Sequence, residues 1–130
     1  MRLVDALQYR LPLAGVVSIL HRLSGLIMLA LLPLLVWLFD TSVSSEASFD
    51  VFKAAFTAGI GFVPGWLVKV VVWALIWSYL HHFIAGLRHL WMDISHEAVS
   101  KEFGKTSAVV TLALSILLTL ALGAKLFGLY

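Results

Sequence analysis

The sequence predicts an all-α membrane protein with three transmembrane helices. Of its 130 residues, 62% are hydrophobic and only 12% are charged, whereas soluble chains carry about 25% charged residues. The mean hydropathy is +1.01. Three apolar stretches are long enough to cross a hydrocarbon core of about 30 Å, which takes about 20 helical residues. A chain of this length is expected to form one domain, here residues 1–130.

The predicted spans cover residues 13–39, 64–92 and 107–129. Pro33 lies inside the first span and is expected to bend it, which helices in a membrane bundle tolerate. The second span opens at Pro64, because proline suits the first turn of a helix, and Trp66 and Trp91 near its ends fit the membrane interface. Lys125 lies near the end of the third span, where its amine can reach the interface.

The two connections differ in character. Residues 47–58 carry Phe49, Phe52 and Phe56 at i, i+3 and i+7, which predicts a short amphipathic helix on the membrane surface. Residues 93–107, which include His96, form a polar segment and predict a short loop.

Charge patterning predicts a cytoplasmic N-terminus. The chain has nine Lys and Arg residues. Six fall on the predicted N-terminal side: Arg2, Arg10, Arg22, Arg88, Lys101 and Lys105. Three fall on the other side: Lys53, Lys69 and Lys125. Cytoplasmic loops carry the excess of Lys and Arg, so the C-terminus is expected outside.

The remaining composition excludes several classes of function. The chain has no cysteine, which excludes disulfides, thiolate zinc sites and thiolate-held iron–sulfur clusters within it. The net charge of +2 is small and gives no support to a nucleic-acid partner. The N-terminal segment does not resemble a cleaved signal peptide or a transit peptide, which favours a bacterial inner membrane.

Two stripes of polar residues lie inside the spans, although an arginine at a helix centre costs about 2.5 to 3.5 kcal/mol. A helix turns about 100° per residue, so spacings of three and four residues keep side chains on one face. In the second span that face holds Ser78, His82, Gly86, His89 and Asp93. In the first span it holds Ser18, Arg22 and Gly25, with His21 on the flank. The glycines leave room for a flat molecule.

The depths of these residues predict a haem site. At 1.5 Å per residue, with the cytoplasmic boundary near Asp93, His82 lies about 16 Å deep and His89 about 6 Å deep. Arg22 lies about 13 Å along the first span. An imidazole near mid-membrane can bind haem iron, and cations nearer the cytoplasm can pair with the propionates. Since no other histidine of this chain is well placed, a second histidine ligand requires a partner subunit.

Simpler interpretations exist for each residue alone. A membrane histidine such as His82, taken alone, more often bonds a neighbouring helix than a metal, and His81 is interpreted as interfacial packing or a hydrogen bond. Arg22 alone can extend towards the interface, and Ser18 alone can bond the preceding turn. The clustering of both stripes on one side favours a cofactor site. A three-span structural subunit without cofactor is the alternative.

Two segments resemble a known family. "LQYRLPLAGVVSILHRLSG" and "HHFIAGLRHLWMD" are similar to the two signatures of the cytochrome b subunit of succinate dehydrogenase. The second signature reads H-x-x-x-G-x-R-H-x-x-x-D, and it starts at His82, because Gly86, Arg88 and Asp93 then fall in register. The resemblance covers essentially the whole chain.

The resemblance implies roles for individual residues. His82 would be the haem axial ligand, and Ser18 and Arg22 would line the ubiquinone site. The residues near the haem or its propionates would be His21, Arg22, Arg88 and His89. Asp93 is a candidate proton relay, with a solvated aspartate at the helix end as the alternative.

The resemblance also implies an assembly. A second membrane anchor would complete a heterodimeric helix bundle in the bilayer and supply the other ligand of haem b. A flavoprotein with FAD and an iron–sulfur protein would oxidise succinate, in the respiratory chain and the tricarboxylic acid cycle, and this chain would do no succinate chemistry itself. The related alternative is a fumarate reductase anchor, in which electrons run the other way.

Overall fold

The computed structural model of the chain describes residues 13–94 and 101–129, so His96 and Tyr130 lie outside it. Five helices form in these ranges: α1 (Leu13–Ala30), α2 (Leu32–Val43), α3 (Glu46–Ala55), α4 (Gly65–Ile94) and α5 (Lys101–Leu126). The three helical segments long and apolar enough to cross a membrane are Leu13–Ala30, Gly65–Ile94 and Glu102–Leu126. The predicted all-α fold with three membrane helices is confirmed.

The first span is interrupted ahead of its proline. Leu31 separates α1 from α2 with φ −93° and ψ 6°, two residues before Pro33. Proline has no N–H to donate and its ring collides with the preceding turn. Hydrogen bonds continue on both sides, from Leu31 N to Ile27 O and from Leu35 N to Leu31 O. The helix is therefore interrupted at Leu31 and continues to Val43, beyond the predicted end at residue 39.

Helix α3 occupies most of the segment predicted to be amphipathic. Ser45 caps it, because its Oγ accepts from Ser48 N at 3.0 Å and its backbone N–H donates to Ser48 Oγ at 2.9 Å. The predicted aromatic face forms, with ring centroids 5.7 Å apart for Phe49 and Phe52 and 5.3 Å apart for Phe52 and Phe56. Its position on a membrane surface stays a prediction.

Helix α4 is the centre of the bundle and packs against both α1 and α5. Small side chains let the helices approach, since Val17, Ala85 and Ala108 are buried together with Leu112 against them. The contacts also bury polar residues: Ser24, Ser78, His81, Thr111, Ser115 and Thr119. Small and hydroxylated residues are typical of helix interfaces in membranes, where no hydrophobic force drives helices together.

Helix α5 begins at Lys101, six residues before the start of the predicted third span. The polar segment was predicted as loop because its sequence lacks an apolar run. Its last part is nevertheless helical, because Gly104 and Ser107 receive hydrogen bonds from Arg88 of α4. The helix ends at Leu126, ahead of the predicted end at residue 129, and Gly128 has a φ of 79°, a value that favours glycine.

Two glycines of α5 make a matched test of this packing. A Cβ on Gly123 would overlap the indole of Trp73, whereas a Cβ on Gly104 would meet no atom within 4 Å. The indole N–H of Trp73 donates to Thr119 O at 2.9 Å. We expect Gly123→Ala to destabilise the fold by about 1–3 kcal/mol through overpacking. Gly104→Ala should be neutral or stabilising by up to about 1 kcal/mol, from its higher helix propensity.

The measurement is the thermal midpoint of the detergent-purified protein in its native assembly. Equal midpoints for the two variants would contradict the close contact between Gly123 and Trp73.

Candidate haem and quinone site

Three histidine rings form a column between α1 and α4. The rings of His82 and His21 are parallel within 8°, with centroids 4.0 Å apart. His89 lies on the other side of His21, at 6.5 Å and 18°. The helical spacing predicted that each stripe shares a face, and the packing of α1 on α4 brings the two faces together.

The adjacent histidines point into different surroundings. His81 is fully buried, its ring stacks on Trp77 at 5.2 Å, and its Nδ1 lies 3.4 Å from Ser115 Oγ of α5. His82 is only half-buried and lines an open cavity with His21 and His89. One helical step of about 100° separates them. His81 therefore belongs to the core of the bundle and His82 to its surface, which agrees with the interpretation of His81 as a packing residue.

The contacts of His82 define which nitrogen carries the proton. Its Nδ1 lies 3.0 Å from His21 O and 3.2 Å from Ser24 Oγ. The hydroxyl of Ser24 donates to His21 O at 2.8 Å. A carbonyl oxygen only accepts, so the network assigns the proton to Nδ1. In the neutral ring Nε2 then keeps its lone pair, which is the atom a metal binds.

His82 opens onto a first cavity, the histidine cavity, of about 430 Å³. It is lined by His21, His82, Phe83, Gly86, Leu87, His89 and Leu90. Gly86 leaves space at its wall, since a Cβ there would meet only His21 Nε2, at 3.8 Å. Gly25 has a different function, because a Cβ there would lie 3.0 Å from His82 Cε1. The absence of a side chain at Gly25 lets the ring lie against α1.

A second cavity, the cationic cavity, of about 330 Å³ lies beside the first and shares His21 and His89 with it. Its other lining residues are Ala14, Val17, Ser18, Arg22, Ala85, Arg88 and Met92. Ser18 and Arg22 are exposed. The residues predicted for the quinone site and for the haem edge thus line one cavity, and they number five: Ser18, His21, Arg22, Arg88 and His89.

Two nitrogens of the Arg88 guanidinium bond residues of the neighbouring helix α5. Its Nε donates to Ser107 Oγ at 2.9 Å and its Nη2 to Gly104 O at 3.1 Å. These bonds join α4 to α5, so Arg22 is the more accessible cation of the cavity. A direct bond between Arg88 and a haem propionate stays a prediction.

Some residues of the two predicted stripes line neither cavity. On α4, His82, Gly86 and His89 line the histidine cavity. Ser78 is buried and its Oγ bonds Ala74 O of its own helix at 2.8 Å. Asp93 is exposed at the end of α4 and lines neither cavity.

Sequence reasoning missed Ser24. It is fully buried and touches the ring of His82, although neither predicted stripe contains it. Its place three residues after His21 puts its hydroxyl within reach of the His21 carbonyl. Its contact with His82 depends on how α1 packs against α4, so no signal in the sequence alone reveals it.

These features define a class of protein: a three-span helical membrane subunit with a histidine cluster and a cationic cavity at one end of its bundle. A family model described as the succinate dehydrogenase/fumarate reductase transmembrane subunit matches residues 4–122. The chain belongs to this family, and the predicted family is confirmed.

Two bacterial relatives are similar over most of their length. The succinate dehydrogenase cytochrome b556 subunit of Paracoccus denitrificans is 30% identical over 114 residues, which cover 88% of this chain and 82% of the relative. The subunit of the same name from Coxiella burnetii is 30% identical over 115 residues, covering 88% of this chain and 86% of the relative.

Proposed function

We propose that this chain is the haem b-binding membrane anchor of a succinate dehydrogenase and forms part of its ubiquinone site. One observation carries the haem assignment. His82 faces the histidine cavity with Nδ1 bonded to the His21 carbonyl and Ser24, so that Nε2 is left with a lone pair for iron. The names of the two relatives, both cytochrome b556 subunits, agree with this assignment.

The residues of the site fit a haem better than a bare metal ion. Within residues 13–94 and 101–129, no group of three or more His, Cys, Asp or Glu could hold a metal ion. A haem carries most of its iron ligands itself, so it would need only a histidine such as His82 from this chain. When bound, haem supplies one-electron chemistry between ferric and ferrous iron.

The rest of the cradle has matching chemistry. His82 would hold the iron, and Gly86 keeps the adjoining wall of the histidine cavity free of a side chain. Arg22, His21 and His89 would hold the propionates, with Arg88 nearby, because a dianionic edge in a low-dielectric place needs cationic or hydrogen-bonding partners. The second axial ligand would come from the other membrane anchor.

The cationic cavity suits the head group of a quinone. The hydroxyl of Ser18 can donate a hydrogen bond to a quinone carbonyl. The guanidinium of Arg22 can stabilise the negative charge that develops on the quinone oxygens during reduction. Reduction also takes up protons, and Asp93 at the open end of α4 is a candidate to pass them on.

Membership of the family supports a wider assembly. A flavoprotein with FAD would oxidise succinate, an iron–sulfur protein would carry the electrons, and this chain with a second anchor would hold both at the membrane. The excess of Lys and Arg at the N-terminal end of the bundle supports a cytoplasmic N-terminus. Together with the bacterial relatives, it supports a bacterial inner membrane.

The family model covers fumarate reductase anchors as well. The relatives named succinate dehydrogenase favour succinate oxidation. A structural subunit without cofactor is disfavoured, because it gives no reason for a half-buried histidine with an oriented ring facing an open cavity.

The test is a reduced-minus-oxidised absorption spectrum of the complex that co-purifies with this chain from native membranes. We expect a b-type α-band, together with succinate-dependent reduction of ubiquinone by the same preparation. A colourless complex would overturn the haem assignment, and a complex that does not oxidise succinate would overturn the enzyme assignment.

A further inference from the structure

The buried polar group beside His82 Nδ1 has no role of its own in the proposed function. Ser24 is fully buried on α1. Its Oγ lies 3.2 Å from His82 Nδ1 and donates to the His21 carbonyl at 2.8 Å. We propose that Ser24 is a positioning residue for the haem ligand, which sets the orientation of the His82 ring and its electron donation to iron. This inference rests on the proposed function, in which His82 binds the haem.

The direction of the hydrogen bonds carries the first step. The hydroxyl proton of Ser24 is directed at His21 O, so the lone pairs of Ser24 Oγ are left for other donors. The N–H of His82 Nδ1 then lies between two acceptors, the carbonyl at 3.0 Å and the hydroxyl at 3.2 Å. Ser24 therefore acts on the ring directly, as an acceptor, and also through the carbonyl it shares.

The second step is the fixed orientation of the ring. The His21 ring stacks on His82 at 4.0 Å, and Gly25 lets the edge of the His82 ring approach α1. Ser24, His21 and Gly25 all belong to α1, so one helix determines the plane and rotation of a ligand carried by another. Burial keeps bulk water away from the Ser24 hydroxyl and leaves it few other partners. Its oxygen therefore stays available as an acceptor for the His82 ring.

The third step links this hydrogen bond to the metal. An acceptor at the far nitrogen of a ligating histidine fixes its tautomer and raises its basicity. A more basic ligand stabilises ferric over ferrous haem. Loss of one of two acceptors should therefore raise the midpoint potential of the haem, and the freer ring should change the g values of the ferric form.

The experiment uses the complete complex purified through a tag on this chain. Midpoint potentials are obtained from the α-band in a redox titration, and g values from the electron paramagnetic resonance spectrum of the oxidised complex. Ser24→Ala should keep its haem, show a higher midpoint potential and show shifted g values. Ser24→Thr, which restores a hydroxyl, should return both quantities towards the wild type.

Ser78→Ala is the matched control. Ser78 is also fully buried, lies one turn before His82 on α4, and donates its hydroxyl to Ala74 O at 2.8 Å. Its removal deletes a buried hydroxyl close to the ligand without removing an acceptor from Nδ1. We expect a wild-type potential and wild-type g values.

The possible results distinguish the positioning role of Ser24 from the proposed haem-binding function. Wild-type values in Ser24→Ala, or an equal shift in Ser78→Ala, would overturn the positioning role. If Ser24→Ala does not assemble, Ser24→Cys keeps the size of the side chain with a weaker hydrogen bond and takes its place. Failure of both to assemble would show a role in helix packing instead, which also overturns the inference. Absence of haem from the wild type would be a failure of the proposed function itself.

Discussion

Replacement of His82 by leucine is expected to remove essentially all of the b-type absorption from the assembled complex, whereas the same replacement of His81 should leave it intact. The two residues are neighbours in the chain, but His82 lines the histidine cavity and His81 is buried against Trp77 and Ser115. Leucine cannot bind iron, and its size is close enough to that of histidine to limit loss of packing.

The control variant has its own expected result. Within the described residues, His81 Nε2 is buried without a hydrogen-bond partner. An apolar side chain removes that unsatisfied atom, which tends to be neutral or stabilising. We therefore expect His81→Leu to match or exceed the wild type in thermal stability, measured as the midpoint of the purified complex.

The α-bands of the His81 and His82 variants together identify the ligand. Succinate oxidation with an artificial dye acceptor, measured on material purified through a tag on this chain, shows whether each variant has assembled, because only attached flavoprotein and iron–sulfur subunits would co-purify. If His81→Leu loses the α-band while His82→Leu retains it, the assignment of the ligand from the signature register is wrong. Full retention in both variants would remove haem ligation from this pair altogether.

The second large effect is expected at the cationic cavity. Ser18→Ala and Arg22→Leu should each lower the rate of ubiquinone reduction by about 10²-fold, the usual effect of removing one group that stabilises developing negative charge. Arg22→Lys should lose less, because the charge remains while the planar guanidinium is lost. Dye-linked succinate oxidation should be unchanged in all three variants.

The ratio of the two rates in one preparation is the measurement, since it cancels differences in expression. Ser42→Ala is a suitable control, because its hydroxyl donates to Phe39 O of its own helix, at 2.7 Å, at the far end of the first span. An unchanged ratio in both Ser18→Ala and Arg22→Leu would place quinone reduction elsewhere. Equal losses in both rates would indicate failed attachment of the soluble subunits.

Much of the fold can be predicted from individual segments of the sequence. The apolar runs predict three membrane helices because length and composition alone decide whether a segment can cross a bilayer. Pro33 has no backbone N–H to donate, which likewise predicts a disturbance in the first span, although the break falls at Leu31. The start of α5 at Lys101 was not predictable in this way, because its first turns are polar and are held by Arg88 from another helix.

The candidate site likewise has features that a single segment predicts and features that depend on how helices pack. Spacings of three and four residues determine which side chains share a face, so the sequence by itself determined the two stripes and their common end of the bundle. The family signature then gave the register in which His82 is predicted to be the ligand. The sequence could not determine distances between helices, which depend on how deep each helix lies and how its small residues pack.

Only the tertiary structure decided that the ring of His21 lies between His82 and His89, that Arg88 bonds α5, and that buried Ser24 meets the Nδ1 of His82. The physical reason is that helix periodicity is a property of one segment, whereas a hydrogen bond between residues 58 positions apart exists only when two segments pack in one particular register.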